Sequence, residues 1–279
     1  MAITVSIDKL ISSKIIKELE NELVARKICT EDTSSQITKE GDQVTFVALN
    51  DPTVNTYEGK INYEDLEDTG VTLLIDQKDY VAFKVDDIEA FRSKINLKGG
   101  ASERAMYKIK DKADKFVFGL HKEITTNVVD RTTKLVSSNN VLSTIAEIGK
   151  LLDKQNVKAG NRWLAIDPDF KEKMILAGIK FSINEGMNGQ KGGLEYADYL
   201  GFNVYVSNNI SVVEGVHKIM AGAYNSIVFA NQILKSRFIA ELEDSFAGGY
   251  SALHVYGAKV LKEKEICLLN AKFEDETSI

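Results

Sequence analysis

The chain has 279 residues and a mass of 31.0 kDa, which at ~150 residues per domain allows one large or two modest domains. Hydrophobic residues make up 44% and charged residues 27%, close to the globular average, which excludes a disordered or collagen-like chain. Lys and Arg number 35 against 41 Asp and Glu, a net charge of −6 with a pI near 5.3; this argues against a dedicated nucleic-acid reader, which carries a basic surplus or stripe.

Residues 9–28 place Ile11, Ile15, Leu19 and Leu23 on one face of an amphipathic helix. No neighbouring segment in sequence offers it a matching apolar face. After a polar stretch at 30–41, Gln43–Leu49 reads as a strand of β-branched and aromatic residues, and Pro52 and Asn55 mark a turn. Residues 56–70 then carry Glu58, Glu64, Asp65, Glu67 and Asp68 against Lys60 alone, a net of −4. Two strand-like runs follow at 71–75 and 80–85, joined by Asp76-Gln77-Lys78-Asp79. As a two-stranded arm they would be marginal in water unless packed on something else.

Asp86 and Glu89 stand in capping-box spacing, and a helical period runs through Ile88, Phe91 and Ile95 until Lys98-Gly99-Gly100 interrupts it. From Ser102 the steps Ala105, Ile109, Ala113, Phe116, Leu120, Ile124 and Val128 predict a helix of about 26 residues, ~39 Å long. Between Lys84 and Asn127 ten basic residues outnumber seven acidic ones, a net of +3. The helical region is therefore mildly basic where the preceding arm is strongly acidic.

The second half reads as compact α/β. Asn140 caps a helix with Val141, Ile145, Ile148 and Leu152 turned inward, and a strand follows at 163–166. Asp167-Pro168 opens another helix, with proline at the first position, where its missing N–H costs nothing. Residues 175–201 are glycine-rich and read as mostly loop, Phe202–Val206 and 219–223 as strands, and 226–240 as mostly helix. Strand-like runs at 252–260 and 265–273 precede an acidic tail.

The chemistry-bearing inventory is thin. His121, His217 and His254 are widely separated, and neither CxxC nor HExxH occurs, so no metal-site pattern exists. Glycines 186, 189, 192 and 193 fit neither GxxxxGK[ST] nor GxGxxG and read as a loop. Asp167 and Asp169 read as a helix cap and a first-turn acid. The alternating charges at 111–115 and 262–265 read as solvated faces. Cys29 and Cys267 read as reduced, buried or half-buried thiols of a cytosolic protein. The first residues lack a signal-peptide apolar run, and no apolar run approaches the ~20 residues that span a bilayer. An N-terminal helix without a local partner, an acidic arm and one very long helix leave surfaces that other copies of the chain would cover.

The order of these elements is familiar. Gly41-Asp42-Gln43-Val44 opens a strand, followed by Val54-Asn55-Thr56-Tyr57, VTLLIDQK at 71–78, AFKVDDI at 82–88, NRWLAIDP at 161–168, GFNVYVSN at 201–208, RFIAE at 237–241 and YGAKV at 256–260. Spread over nearly the whole chain, these strings resemble the major capsid proteins of tailed double-stranded DNA bacteriophages, whose fold is shared with encapsulin compartments. The resemblance implies an α+β capsid fold with an N-terminal arm at 1–55, an extended β-hairpin loop at 56–84, a peripheral domain with a long spine helix at 85–136 and 251–279, and an axial α/β domain at 137–250. It implies no catalytic residue, cofactor or metal. The partners it implies are further copies as pentamers and hexamers, portal and scaffolding or decoration proteins, and double-stranded DNA enclosed without sequence-specific binding, with no membrane. The protein would be made in bacterial host cytoplasm and reside in the virion. Some relatives cross-link through a lysine in the extended loop; Lys60 lies there, but no matching asparagine or carboxylate is identified, so no cross-link is assigned. The −4 arm lying on the +3 helical region of a neighbour makes Glu58, Glu64, Asp65, Glu67 and Asp68 the candidate subunit contacts. The alternatives are an encapsulin-like shell, a soluble α/β enzyme, and a tail or connector component.

Overall fold

The computed structural model describes residues 24–31, 43–49, 56, 68–86, 97–178, 182–183, 195–199, 201–239 and 247–273. From the N-terminus, helix α1 (Val24–Ile28) leads into the short strand β1 (Thr30–Glu31). Strands β2 (Gln43–Leu49), β3 (Asp68–Leu74) and β4 (Gln77–Asp86) precede the long helix α2 (Leu97–Gly119), which closes in a 3-10 turn at Leu120–Glu123. Then come β5 (Val128–Val136), α3 (Val141–Lys154), β6 (Arg162–Ile166) and α4 (Pro168–Leu176). Strands β7 (Ser182–Ile183), β8 (Glu195–Tyr199), β9 (Phe202–Val206), β10 (Val212–Val213) and β11 (Val216–Ala223) follow. Three longer strands, β12 (Ile227–Ile239), β13 (Ala247–Val260) and β14 (Ile266–Phe273), end the described chain.

The described strands form three sheets. The largest runs β5-β14-β11-β6-β9-β8-β7, with β10 paired to β11; a second runs β1-β12-β13-β4, and β2 pairs with β3 alone. In the large sheet β6 is central, parallel to β9 and antiparallel to β11. All five of its residues are buried, as a strand covered on both faces requires. Trp163 at its heart donates from Nε1 to the Ala223 carbonyl at 2.9 Å, so its one polar atom is satisfied inside the core. Helix α3 lays Val141, Ile145, Ile148 and Leu152 against this sheet as its period demands. Asn140 occupies the N-cap position, but its side chain serves the preceding turn: Oδ1 accepts from Ser137 N and Nδ2 donates to the Leu135 carbonyl. Asp167 does cap α4, accepting from Phe170 N at 2.9 Å.

Several sequence expectations are corrected. Residues 226–240 contain strand β12, not a helix. Ile227, Val228, Phe229 and Ala230 are buried in succession, and a short apolar run buried on both faces carries no period that separates strand from helix. The runs at 71–75 and 80–85 do not pair with each other: β3 pairs with β2 from Gln43↔Leu74 to Leu49↔Asp68, while β4 pairs with β13. The segment 50–67 thus connects two residues that face each other across a ladder. The base of this pair is held by Leu73 and Ile75, buried against Val228, Ala230 and Val255. Helix α2 starts ahead of Gly99 and Gly100. Glycine tolerates a helix at ~1 kcal/mol per residue, and first-turn amides have no intrahelical acceptor to lose. The long helix also stops earlier than its apolar spacing predicts. Glu263 accepts from Thr125 N and Thr126 N at 2.7 and 2.8 Å and from the Thr125 hydroxyl at 2.7 Å, diverting the chain into β5. The single strand β5 occupies residues for which the sequence predicts only the end of the helix; it pairs parallel to β14 across a register shift, with Asp130 and Arg131 at positive φ.

The N-terminal helix is corrected too. Its described part, α1, is not without a partner within the chain: Ala25 and Ile28 join the main core beside Ala113 and Val117 of α2. Burying one such aliphatic side chain contributes about 2 kcal/mol. The rest of the predicted helix, residues 9–23, the capping pair Asp86/Glu89 beyond Asp86, and the glycines at 186–193 lie outside the described residues.

Candidate assembly surface

Helix α2 faces two environments. Met106, Ile109, Ala113, Val117 and Phe118 are buried, while Arg104, Lys108, Lys112 and Lys115 are exposed on the other side. Alongside runs β4, the last strand of its sheet among the described residues. Tyr80 on β4 is 76% exposed and Tyr107 on α2 62% exposed. Between the two elements a cleft of about 360 Å³ is lined by Tyr80, Val81, Ile109, Lys108, Lys112 and Lys115, with Asp79 and Asp111 at its wall. Lys112 pairs with Asp79, and Lys115 with Asp111 at 2.7 Å in i,i+4 spacing. Exposed pairs of this kind are worth ~0–1 kcal/mol, so they hold the lysines in place more than they stabilise the fold. A strand edge, exposed tyrosines and a row of lysines make a surface suited to an extended acidic chain.

Of the five candidate contact residues, Glu58, Glu64, Asp65 and Glu67 lie outside the described residues. Asp68 opens β3, its backbone opposite Leu49. The structure therefore neither joins them to one another nor to α2.

One residue of the 111–115 run is not on a solvated face. Asp114 is only 6% exposed; its Oδ1 accepts from Ala25 N at 3.3 Å, tying the first turn of α1 to the long helix. Burial pushes its carboxyl up to about 6, opposed by hydrogen bonds from the Ala25 and Val24 amides and the Asn209 side chain. The helical phase was the available signal, since Asp114 lies three and four residues before Val117 and Phe118, both buried. Glu263, in the other alternating run, is pulled down to about 2, first by the Thr125 hydroxyl and amide.

The fold also gathers Asp167, Asp169 and His217, whose ligand atoms all lie within 4.8 Å. Asp167 spends Oδ1 on capping α4 and bonds His217 Nδ1 through Oδ2. Burial pushes the Asp167 carboxyl up, and the helix amide and His217 pull it back. The Phe273 ring stands edge-on to the imidazole at 4.7 Å. The three residues could hold a small cation, but both Asp167 oxygens are already engaged within the chain. His254 is buried and stacked on Tyr256 at 4.7 Å; burial draws its pKa down to about 4, keeping it neutral. Cys29 and Cys267 are free and buried, and burial pushes the Cys267 thiol up to about 12, so it is unreactive near neutrality. No helix among the described residues is long and apolar enough to cross a membrane.

No protein-family model matches the chain, and no curated protein matches its sequence. Its backbone, however, matches solved structures along almost its full length. A structure from Mycobacterium phage Che8 superposes with a TM-score of 0.73 over 89% of this chain and 91% of that one, at 23% identity. The capsid structure of cyanophage P-SCSP1u gives 0.67 over 91% and 89% at 13% identity. The capsid of Ralstonia phage GP4 gives 0.66 over 93% and 92% at 11% identity. With so few residues in common, what is shared is the course of the backbone, and that course is the α+β fold of phage capsid proteins.

Proposed function

We propose that this chain is a major capsid protein of a tailed double-stranded DNA phage, whose copies assemble as pentamers and hexamers into an icosahedral shell enclosing the genome. The observation that carries this reading is mutual coverage near nine-tenths with phage capsid structures: the likeness spans the architecture, not one grafted domain. In this reading residues 1–55 are the arm, 56–84 the extended loop, 85–136 and 251–279 the peripheral domain, and 137–250 the axial domain. The role is structural, with no catalysis. Portal and scaffolding or decoration proteins are its further partners. DNA is contained without sequence readout, in keeping with a net charge of −6: strong phosphate affinity would pin the genome through salt-dependent contacts.

Within the shell, the acidic segment around Glu58, Glu64, Asp65, Glu67 and Asp68 of one copy lies along the lysine row of α2 in its neighbour. What supports this is charge: a net of −4 over residues 56–70 against exposed Lys108, Lys112 and Lys115 on the side of α2 beside β4. Opposite fields steer and register such a contact, and a closed lattice multiplies its small pairwise energies.

Negative-stain microscopy of the expressed protein tests the reading. Closed shells of uniform size, with nuclease-protected DNA in particles from infected cells, support it; lone molecules at every concentration and salt overturn it, and a co-purifying protein cargo would point to a compartment shell. Replacing Glu64, Asp65, Glu67 and Asp68 by lysine leaves folded subunits that no longer form shells, and normal shells from that variant refute the arm–helix contact.

A further inference from the structure

Three segments of the chain meet at one buried carboxyl. Asp114 of α2 accepts from Ala25 N of α1 at 3.3 Å, and the Val24 amide and the Asn209 side chain bond it as well. Asn209 lies in the loop between β9 and β10 and also bonds Asp111, one turn earlier on α2. Ala25 and Ile28 of α1, Ala113 and Val117 of α2 and Ile210 of the loop belong to the same core. Helix α1 is thus seated on α2 by a small apolar contact and by one carboxyl that three segments share.

The groups that bond Asp114 are neutral, and the charge acting on it, that of Asp111, is like in sign. Asp111 is bonded to Lys115 at 2.7 Å and is drawn below the usual carboxylate range, so it stays ionised near neutrality. The other charged side chains close in sequence on the two helices are Arg26 and Lys27 on α1 and Lys110 on α2. The Cys29 thiol, near enough to feel Asp114, is buried and pushed up, so it keeps its proton. The loop from Ser207 to Ser211 carries no charge. An ionised carboxyl in such a place loses water and gains no counter-ion, so the seat accommodates the neutral form better. Asp167, as deeply buried, is served differently, because His217 faces it.

We propose that Asp114 is a proton-operated latch on α1: protonated, it holds α1 on α2, and ionised, it favours a local opening in which α1 lifts off and the carboxylate reaches water. The direction follows from linkage. Burial raises the seated carboxyl from 3.8 to about 6, and lifting α1 returns it toward its ordinary value. A group whose seated value is the higher one favours the seat below pH ~4 and loses that preference as pH rises through 6. Between pH 5 and pH 8 the opening of α1 is therefore favoured about tenfold more. Linkage is reciprocal, so whatever draws α1 away near pH 5 releases about one proton per chain. The carboxyl sits where α1, α2 and the β9–β10 loop join, so its ionisation acts on the mutual placement of all three.

Hydrogen–deuterium exchange of the unassembled full chain, read by mass spectrometry at pH 5 and pH 8 and corrected for intrinsic rates, tests the latch. At pH 8 residues 24–29 are expected to open at least about tenfold more readily than the fully buried strand β6, which marks a local event and not global unfolding. From pH 5 to pH 8 their opening rises about tenfold in the native chain and changes less than about threefold in Asp114→Asn. Asp111→Asn, a control at the neighbouring carboxyl, keeps the native rise. Opening of 24–29 no easier than that of β6, no rise with pH in the native chain, the same rise in Asp114→Asn, or its loss in Asp111→Asn overturns the proposal. The first two outcomes need only the native chain, so the test stands even if Asp114→Asn, checked by Trp163 fluorescence, does not fold. Exchange is read before assembly, so its outcome is independent of the shell reading.

Discussion

Replacing Asp114 by asparagine isolates the buried charge that ties α1 to α2. In the folded chain burial raises this carboxyl from 3.8 to about 6. A folded-state value above the unfolded one means that the group's contribution to stability is complete below pH ~4 and is lost as pH rises through 6. At about 1.4 kcal/mol per pH unit between those two values, the loss is about 3 kcal/mol at most. Asparagine keeps a carbonyl oxygen for the Ala25 N–H, held at 3.3 Å in the native chain, and carries no charge. Asp114→Asn should therefore be more stable than the native chain at pH 7.5, by about 1–3 kcal/mol, and the advantage should shrink to within roughly 1 kcal/mol near pH 4. Urea unfolding followed by Trp163 fluorescence from pH 4 to 8 measures it. Asp111 and Glu263 titrate in both proteins and cancel in the difference. A stability difference that does not change with pH, or a variant less stable at pH 7.5, would refute the reasoning.

Three further substitutions probe the frame around these surfaces. Gly257→Ala puts a Cβ 2.3 Å from the Leu74 carbonyl oxygen and 3.1 Å from Ile75 Cα; backbone cannot yield cheaply, so a loss of at least about 2 kcal/mol is expected in thermal or chemical unfolding. Glu214 and Gly215 turn β10 into β11 with φ of 53° and 73°, and since two-residue hairpin turns favour Asn-Gly, Glu214→Asn should raise stability by about 0.5–1 kcal/mol. Glu263→Gln should cost about 1 kcal/mol at neutral pH. Because the Glu263 carboxyl lies depressed from 4.5 to about 2, that contribution is present above pH 4.5 and fades toward pH 2, so the gap between the two proteins should close in acid unfolding.

How much was legible without coordinates follows the range of the interactions involved. Gln43–Leu49, Phe202–Val206 and the apolar face of α3 could be read because alternation and the helical period record which side of an element is buried. The Asp167 cap was equally plain, since it joins residues three apart. The acidity of residues 56–70 is likewise written in the composition, though not the surface it meets. Period reports that a face is buried but not what covers it, and it falls silent where both faces are covered, as in β12. The exchange of partners between β3 and β4, the end of the long helix set by Glu263, and the seat of α1 on Ala113 and Val117 each join segments far apart in sequence. Thr125 and Glu263 are 138 residues apart, Ala25 and Asp114 89. Local preference decided the elements of this chain; which of them meet, and hence which charges end up buried, was decided by the closing of long loops around one core, an outcome that no short window of residues contains.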